Sequence, residues 1–203
     1  MQSDIQQLYG NIDIYLFDQL LKGTYGKCKK VLDAGCGGGR NIVYFLRNGY
    51  EVYGIDPNPD AISAVRQLSE TQSPTNSKEN FVVSSAENLP FDDSYFDLVI
   101  SSAVLHFAKS PDHFHDMIHS MWRVLKPGGY LFARLASDIG IETLVQDMGN
   151  GRYLLPDGSE RFLVNQQLLL QYTESLNARL HEPIKTTNVQ NLRCMTTWCL
   201  QKV

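Results

Sequence analysis

The sequence predicts an α/β fold with a mainly parallel sheet and helices on both faces. The first observation behind this is the stretch Val31-Leu32-Asp33-Ala34, a buried-strand run that breaks into Gly35-Cys36-Gly37-Gly38-Gly39. The chain then restarts as an amphipathic helix, with Ile42, Val43, Phe45 and Leu46 at helical spacing. Second, short strand-like runs recur at residues 50–57, 81–84, 98–101 and 130–135, with helical or polar stretches between them. Third, the chain has 203 residues, 43% of them hydrophobic, enough for one domain with a sizeable core.

Composition excludes several partners. The net charge of −4 argues against a broad phosphate-binding surface, which disfavours nucleic acid. No apolar run approaches the roughly 20 residues that a membrane-spanning helix needs. The opening Met1-Gln2-Ser3-Asp4 carries neither a basic nor an apolar targeting segment, so the chain reads as cytoplasmic. Cys28, Cys36, Cys194 and Cys199 have no metal or redox spacing, and Cys36 fills a place in the glycine turn where a small side chain is needed. No metal site is expected.

Residues 1–29 read as a helical lead-in, with Ile5, Leu8, Ile12, Leu16, Leu20 and Leu21 near helical spacing and a break at Gly10. Such a segment either pads the sheet edge or folds over a ligand as a lid. After the glycine turn and its helix, residues 50–57 form a strand ending on Asp56, and Pro57 stops it. Asn58 or Asp60 caps the next helix, from about Ala61 through Leu68. A polar loop over 70–80 leads to the third strand, and the segment 85–97 joins it to the fourth. Lys126-Pro127-Gly128-Gly129 reads as the turn between a helix and the fifth strand.

The glycine turn selects among nucleotides. Gly35-x-Gly37 fits the start of the dinucleotide fingerprint, but the third glycine position falls on Arg40. Asp33, two residues before the first glycine, would repel a pyrophosphate and attract an ammonium. S-adenosylmethionine, with an α-amino group, a sulfonium and no phosphate, suits that acidic strand end; a nicotinamide dinucleotide does not. Asp56 follows at the distance where such folds place a ribose-binding acid.

Together these blocks resemble the class I S-adenosylmethionine-dependent methyltransferases. The nearest likeness is to the small-molecule group with the ubiquinone/menaquinone-biosynthesis and tellurite-resistance-type enzymes. The residues that carry it are the run 31–39, Gly54-Ile55-Asp56-Pro57, Ala86-Glu87-Asn88-Leu89-Pro90-Phe91, Phe96-Asp97-Leu98-Val99 and Leu125-Lys126-Pro127-Gly128-Gly129. The resemblance covers about residues 30–137. It implies a Rossmann-like seven-stranded sheet. It also implies that Asp33, Gly35 and Gly37 surround the methionine part of the cofactor, that Asp56 holds the ribose, that Ser85 and Ala86 frame the adenine, and that Cys36, Pro57 and Glu87 belong to the same cofactor-binding set. Ser102 would lie near the reacting centre. Many relatives carry an acid where this chain has Ser85, and a hydroxyl accepts the adenine amino hydrogen bond more weakly than a carboxylate.

The second half speaks to the acceptor. His106, just past the fourth strand, is the candidate general base, with packing or cofactor contact as its other reading. His115 and His119 share a helix face but lie off the apolar stripe of Phe114, Ile118, Met121 and Leu125, so they read as solvated rather than as metal ligands. Residues 138–164 read as an insertion on the acceptor side, with a hairpin around Pro156-Asp157-Gly158-Ser159. Arg134, Arg152 and Arg161 are either ligands for an anionic acceptor or surface cations. A helix over 166–176 precedes two closing strands, 184–189 and 193–201, which the resemblance makes an antiparallel pair.

The sequence therefore predicts one domain over 1–203 that moves a methyl group from S-adenosylmethionine to a small-molecule acceptor by in-line displacement. The alternative is a non-catalytic S-adenosylmethionine-binding or regulatory protein. In place of the Asn/Asp-Pro-Pro-aromatic block of nucleic-acid amino-methyltransferases stands Ser101-Ser102-Ala103-Val104. Oligomeric state leaves no trace in the sequence.

Overall fold

A computed structural model describes residues 4–203. The reading of the first residues as free of a targeting segment falls partly on 1–3, outside that range. The chain begins with α1 (Asp4–Tyr9) and α2 (Ile14–Leu21), broken at Gly10 as expected, where φ is +65°. It continues through β1 (Lys30–Ala34), α3 (Val43–Arg47), β2 (Glu51–Asp56), α4 (Pro59–Gln72), β3 (Phe81–Val83), β4 (Phe96–Ser102), α5 (Pro111–Val124) and β5 (Leu125–Ser137). The remainder is β6 (Gln146–Gly149), β7 (Arg152–Leu154), β8 (Glu160–Phe162), α6 (Gln166–Ser175), β9 (Ala178–Leu180), β10 (Lys185–Val189) and β11 (Arg193–Lys202).

Seven strands lie in the order β10-β11-β5-β4-β1-β2-β3, the number the resemblance implies. An eighth, β9, pairs antiparallel with the last residues of β11, so β9 and β10 follow one another along the same edge of that strand. The pairs β1–β2, β1–β4, β2–β3 and β4–β5 are parallel, and β11 runs against β5 and β10. The two closing strands thus pair antiparallel.

The strands alternate because successive side chains point to opposite faces. Leu32, Tyr53, Val99 and Leu131 pack with Phe114, Ile118 and Met121 of α5 and Leu169 of α6. Val31, Val52, Leu98 and Phe132 pack on the other face with Leu16 of α2, Phe45 of α3, and Ile62 and Val65 of α4. The apolar stripe of α5 is therefore core, and His115 and His119 lie beside it with ring centroids 3.9 Å apart. Asn58 caps α4 by accepting from the Asp60 N–H at 2.9 Å, with Pro59 in the first turn, where a missing N–H costs nothing.

Several boundaries differ from the sequence reading; α4 runs on to Gln72 and takes in the start of the expected polar loop. The Lys126–Gly129 turn lies inside β5, because Leu125 already pairs with Phe96 before the register shifts. Residues 146–162 form a three-stranded antiparallel sheet rather than a lone hairpin, since β6 adds to β7. Among the described residues, no helix is long and apolar enough to cross a membrane.

Candidate functional site

The carboxyl ends of β1, β2 and β4 converge on the glycine turn. Gly35 has φ +94°, a conformation that side-chain-bearing residues rarely adopt, and a Cβ there would stand 2.3 Å from Val104 Cγ2. The chain thus turns against the segment after β4 only because this residue is glycine. The N–H groups of Gly35 and Cys36 both donate to the Ile55 carbonyl at 2.8 Å, which fastens the turn to β2.

Two cavities meet at Gly35. One, of about 430 Å³, runs along Cys36, Gly37 and Arg40 to Ser102, and Gln6, Gly10 and Asn11 of the N-terminal segment wall it. The other, of about 420 Å³, is lined by Asp56, Pro57, Ser85, Ala86 and Glu87 together with Val104, Phe107, Lys109 and Met117. Of the residues expected at the site, only Asp33 and His106 line neither cavity.

Asp33 sits at the end of β1, 1% exposed, and neither carboxylate oxygen has a hydrogen-bond partner. Burial pushes its pKa up to about 7, against the opposing charge of Arg40 and with a small addition from Asp56. A buried carboxyl with both oxygens unpartnered is costly and suits a cationic ligand. The Asp56 carboxylate accepts from the Gly37 N–H and from the Asn58 N–H, each at 2.9 Å. Cys36 is 4% exposed, and burial drives its thiol pKa far above the ordinary range, so it packs as a small apolar group. Glu87 faces His113, whose Nε2 lies 3.4 Å from Oε2. Partial burial works against ionisation of Glu87, but its backbone N–H and His113 together hold its pKa below the usual value.

Ser102 is held by residues the sequence reading did not assign to the site. Arg40 donates to its Oγ at 3.2 Å, and that hydroxyl donates to Asp13 Oδ2 at 3.4 Å. The same Asp13 oxygen accepts from Arg134 at 3.0 Å, and the Asp13 N–H donates to Asn41 at 3.0 Å. Asp13 thereby ties the start of α2 to the ends of β4 and β5. The sequence offered one signal for it, an aspartate directly before a helical stretch.

His106 is 6% exposed, and its Nδ1 accepts from the Ala136 N–H at 3.2 Å. Burial, then the charges of Arg161 and Arg134, push its pKa down to about 4, so the ring is neutral at physiological pH. The expected arginines separate as well. Arg134 is paired with Asp13, Arg152 lies 3.5 Å from Glu160, and Arg161 lies over the Phe107 ring at 5.1 Å.

A parallel α/β sheet with an acidic strand end, a glycine turn beside it and a second acid closing the next strand defines the Rossmann-like methyltransferases. The chain belongs to the methyltransferase domain family, whose model matches residues 32–133. Over 101 residues it is 39% identical to an uncharacterised methyltransferase of Synechocystis, covering 50% of this chain and 44% of that protein. Over 141 residues it is 30% identical to the ubiquinone biosynthesis O-methyltransferase of Photorhabdus laumondii, covering 64% and 55%. The chain thus spans about half the length of these curated relatives. Its fold is shared by a protein of Pyrococcus horikoshii, at a TM-score of 0.70 and 20% identity, with all of both chains covered.

Proposed function

We propose that this protein transfers the methyl group of S-adenosylmethionine to a small-molecule acceptor. The observation that carries the reading is the Asp33 carboxyl, buried and unpartnered beneath the glycine turn. It suits the α-ammonium of that cofactor and would repel the pyrophosphate of a dinucleotide.

In this reading Asp33 and the Gly35-Cys36-Gly37 backbone bind the methionine part, Asp56 the ribose, and Pro57, Ser85, Ala86 and Glu87 the adenine. Gly37 offers open space, with nothing within 4 Å of where a Cβ would stand, so its backbone is free to approach a ligand closely. Bound S-adenosylmethionine supplies an electrophilic methyl on a positive sulfonium. The protein contributes orientation, worth about 7–11 kcal/mol when reacting atoms are well aligned. Ser102, fixed by Arg40 and Asp13, stands at the β4 end in the cavity that the N-terminal segment walls. That segment, which walls one cavity, excludes water as a lid. We read His106 as a positioning residue that joins the ends of β4 and β5. Residues 1–203 are read as one domain, with 138–164 inserted on the acceptor side, and the four free thiols suit a reducing cytoplasm.

The test is S-adenosylhomocysteine release from a panel of phenol, thiol, amine and carboxylate acceptors. Turnover on one acceptor class, lost in Asp56→Ala, supports methyl transfer. Tight cofactor binding with no turnover across the panel favours the non-catalytic alternative.

A further inference from the structure

The short 3-10 turn after β4, Leu105–Phe107, presents an aromatic ring to the second cavity. Phe107 is 55% exposed while its neighbours Leu105, His106 and Ala108 are buried. Arg161, from β8, holds its guanidinium over that ring at 5.1 Å. A guanidinium that contacts an aromatic ring keeps its N–H donors available for a carboxylate. Only one is engaged in a described hydrogen bond, from Nη1 to the Glu160 carbonyl at 2.6 Å.

The charges around this turn are unevenly matched. Arg134 pairs with Asp13, and Arg152 pairs with Glu160 and donates to the Ala108 carbonyl at 3.1 Å. Among the described residues, neither Arg161 nor the Lys109 ammonium has a carboxylate within ion-pair distance. Of the acids lining the same cavity, Asp56 accepts from two backbone N–H groups, and Glu87 faces His113, whose Nδ1 accepts from the Lys109 N–H at 3.1 Å. A chain of net charge −4 thus places two unmatched cations beside an exposed aromatic face.

We propose that Arg161, over the Phe107 ring, and Lys109, two residues along the chain from Phe107, anchor an anionic group of the acceptor, and that the acceptor is a planar organic acid whose ring lies against the exposed part of Phe107. This rests on the methyl-transfer reading and names its substrate class. A guanidinium fork matches a carboxylate in two-point geometry, and the aromatic face excludes neutral polar acceptors that cannot repay desolvation of the cations.

The experiment compares two probes with the same ring and different charge. Benzoate and benzyl alcohol are titrated into the protein, alone and with saturating S-adenosylhomocysteine, and binding is followed by saturation-transfer NMR. The expected result is benzoate binding at least about fivefold tighter than benzyl alcohol, weakened by salt and reduced by a similar factor in Arg161→Gln. Lys27→Gln, the same charge loss at a remote exposed site, leaves it unchanged. Unaltered S-adenosylhomocysteine affinity in Arg161→Gln shows that the variant is folded. Equal binding of the two probes, benzoate binding insensitive to Arg161→Gln, or no binding of either overturns the anchor. Failure of the protein to bind S-adenosylhomocysteine overturns the methyl-transfer reading instead, and the titrations of the protein alone still decide the anchor.

Discussion

The carboxylate of Asp56 accepts a hydrogen bond from the backbone N–H of Gly37 at 2.9 Å, so the acid that ends β2 clasps the glycine turn that ends β1. Its other oxygen takes the Asn58 N–H at the start of α4. A carboxylate offers about four lone-pair positions, so two acceptor sites are left for a pair of ribose hydroxyls. The same group both shapes the turn and faces the cavity.

Asp56→Ala removes both functions. A hydrogen bond to a charged group contributes about 1.5–3 kcal/mol, so affinity for S-adenosylhomocysteine should fall at least about tenfold. Calorimetric titration checks this, and unchanged affinity would remove Asp56 from the site.

Gly35→Ala tests the close approach of the turn to Val104. The new Cβ would meet Val104 Cγ2 at 2.3 Å in a backbone conformation with φ +94°. Overpacking costs about 1–3 kcal/mol, and each kcal/mol lowers Tm by about 2–4 °C for a chain of this size. The double variant Gly35→Ala/Val104→Ala should regain part of that loss in thermal melts, leaving the backbone strain. Equal Tm for the single and double variants would show that Val104 is not the obstacle.

Asp33 gives a pH dependence with a definite sign. Its folded pKa of about 7 lies above the unfolded value of 3.8, so between these the native state holds the extra proton. Its contribution to stability is complete below about pH 4 and is lost as pH rises through 7. Asp33→Asn should therefore raise the Tm of the ligand-free protein at pH 8 more than at pH 5, while abolishing cofactor binding. Equal shifts at both pH values would contradict a buried, unpartnered carboxylate.

His106 has the opposite linkage. Its folded pKa of about 4 lies below the ordinary 6.5, so the unfolded chain takes up the proton first and stability is lost as pH falls from 6.5 towards 4. His106→Phe should lower Tm by removing the acceptor of the Ala136 N–H, while leaving the shape of the kcat-against-pH profile unchanged. A lost inflection in that profile would restore His106 as a base.

Much of this architecture was legible because its signals are local. The strand, glycine turn and helix around Gly35 lie in one short stretch, and the short apolar runs of β1 and β4 mark strands buried on both faces. Asp13 shows where that legibility stops. One oxygen accepts from the Tyr15 N–H at 3.0 Å, the local cap that a sequence reveals. The other accepts from Arg134, 121 residues away, and from Ser102, 89 residues away, contacts set only by where β4 and β5 end. Arg40 registered as a missing third glycine and proves to be a partner of Ser102. The third strand of the small sheet, β6, was missed because Gln146–Gly149 is exposed and carries no apolar alternation.

In the proposed function the glycine turn, with Asp33 and Asp56, holds S-adenosylmethionine. Calorimetric titration of the protein with S-adenosylmethionine, S-adenosylhomocysteine and NAD tests it most directly. Saturable one-to-one binding of the first two and no heat from NAD is the expected result. Binding of NAD alone would contradict the role given to Asp33, and the proposed function with it.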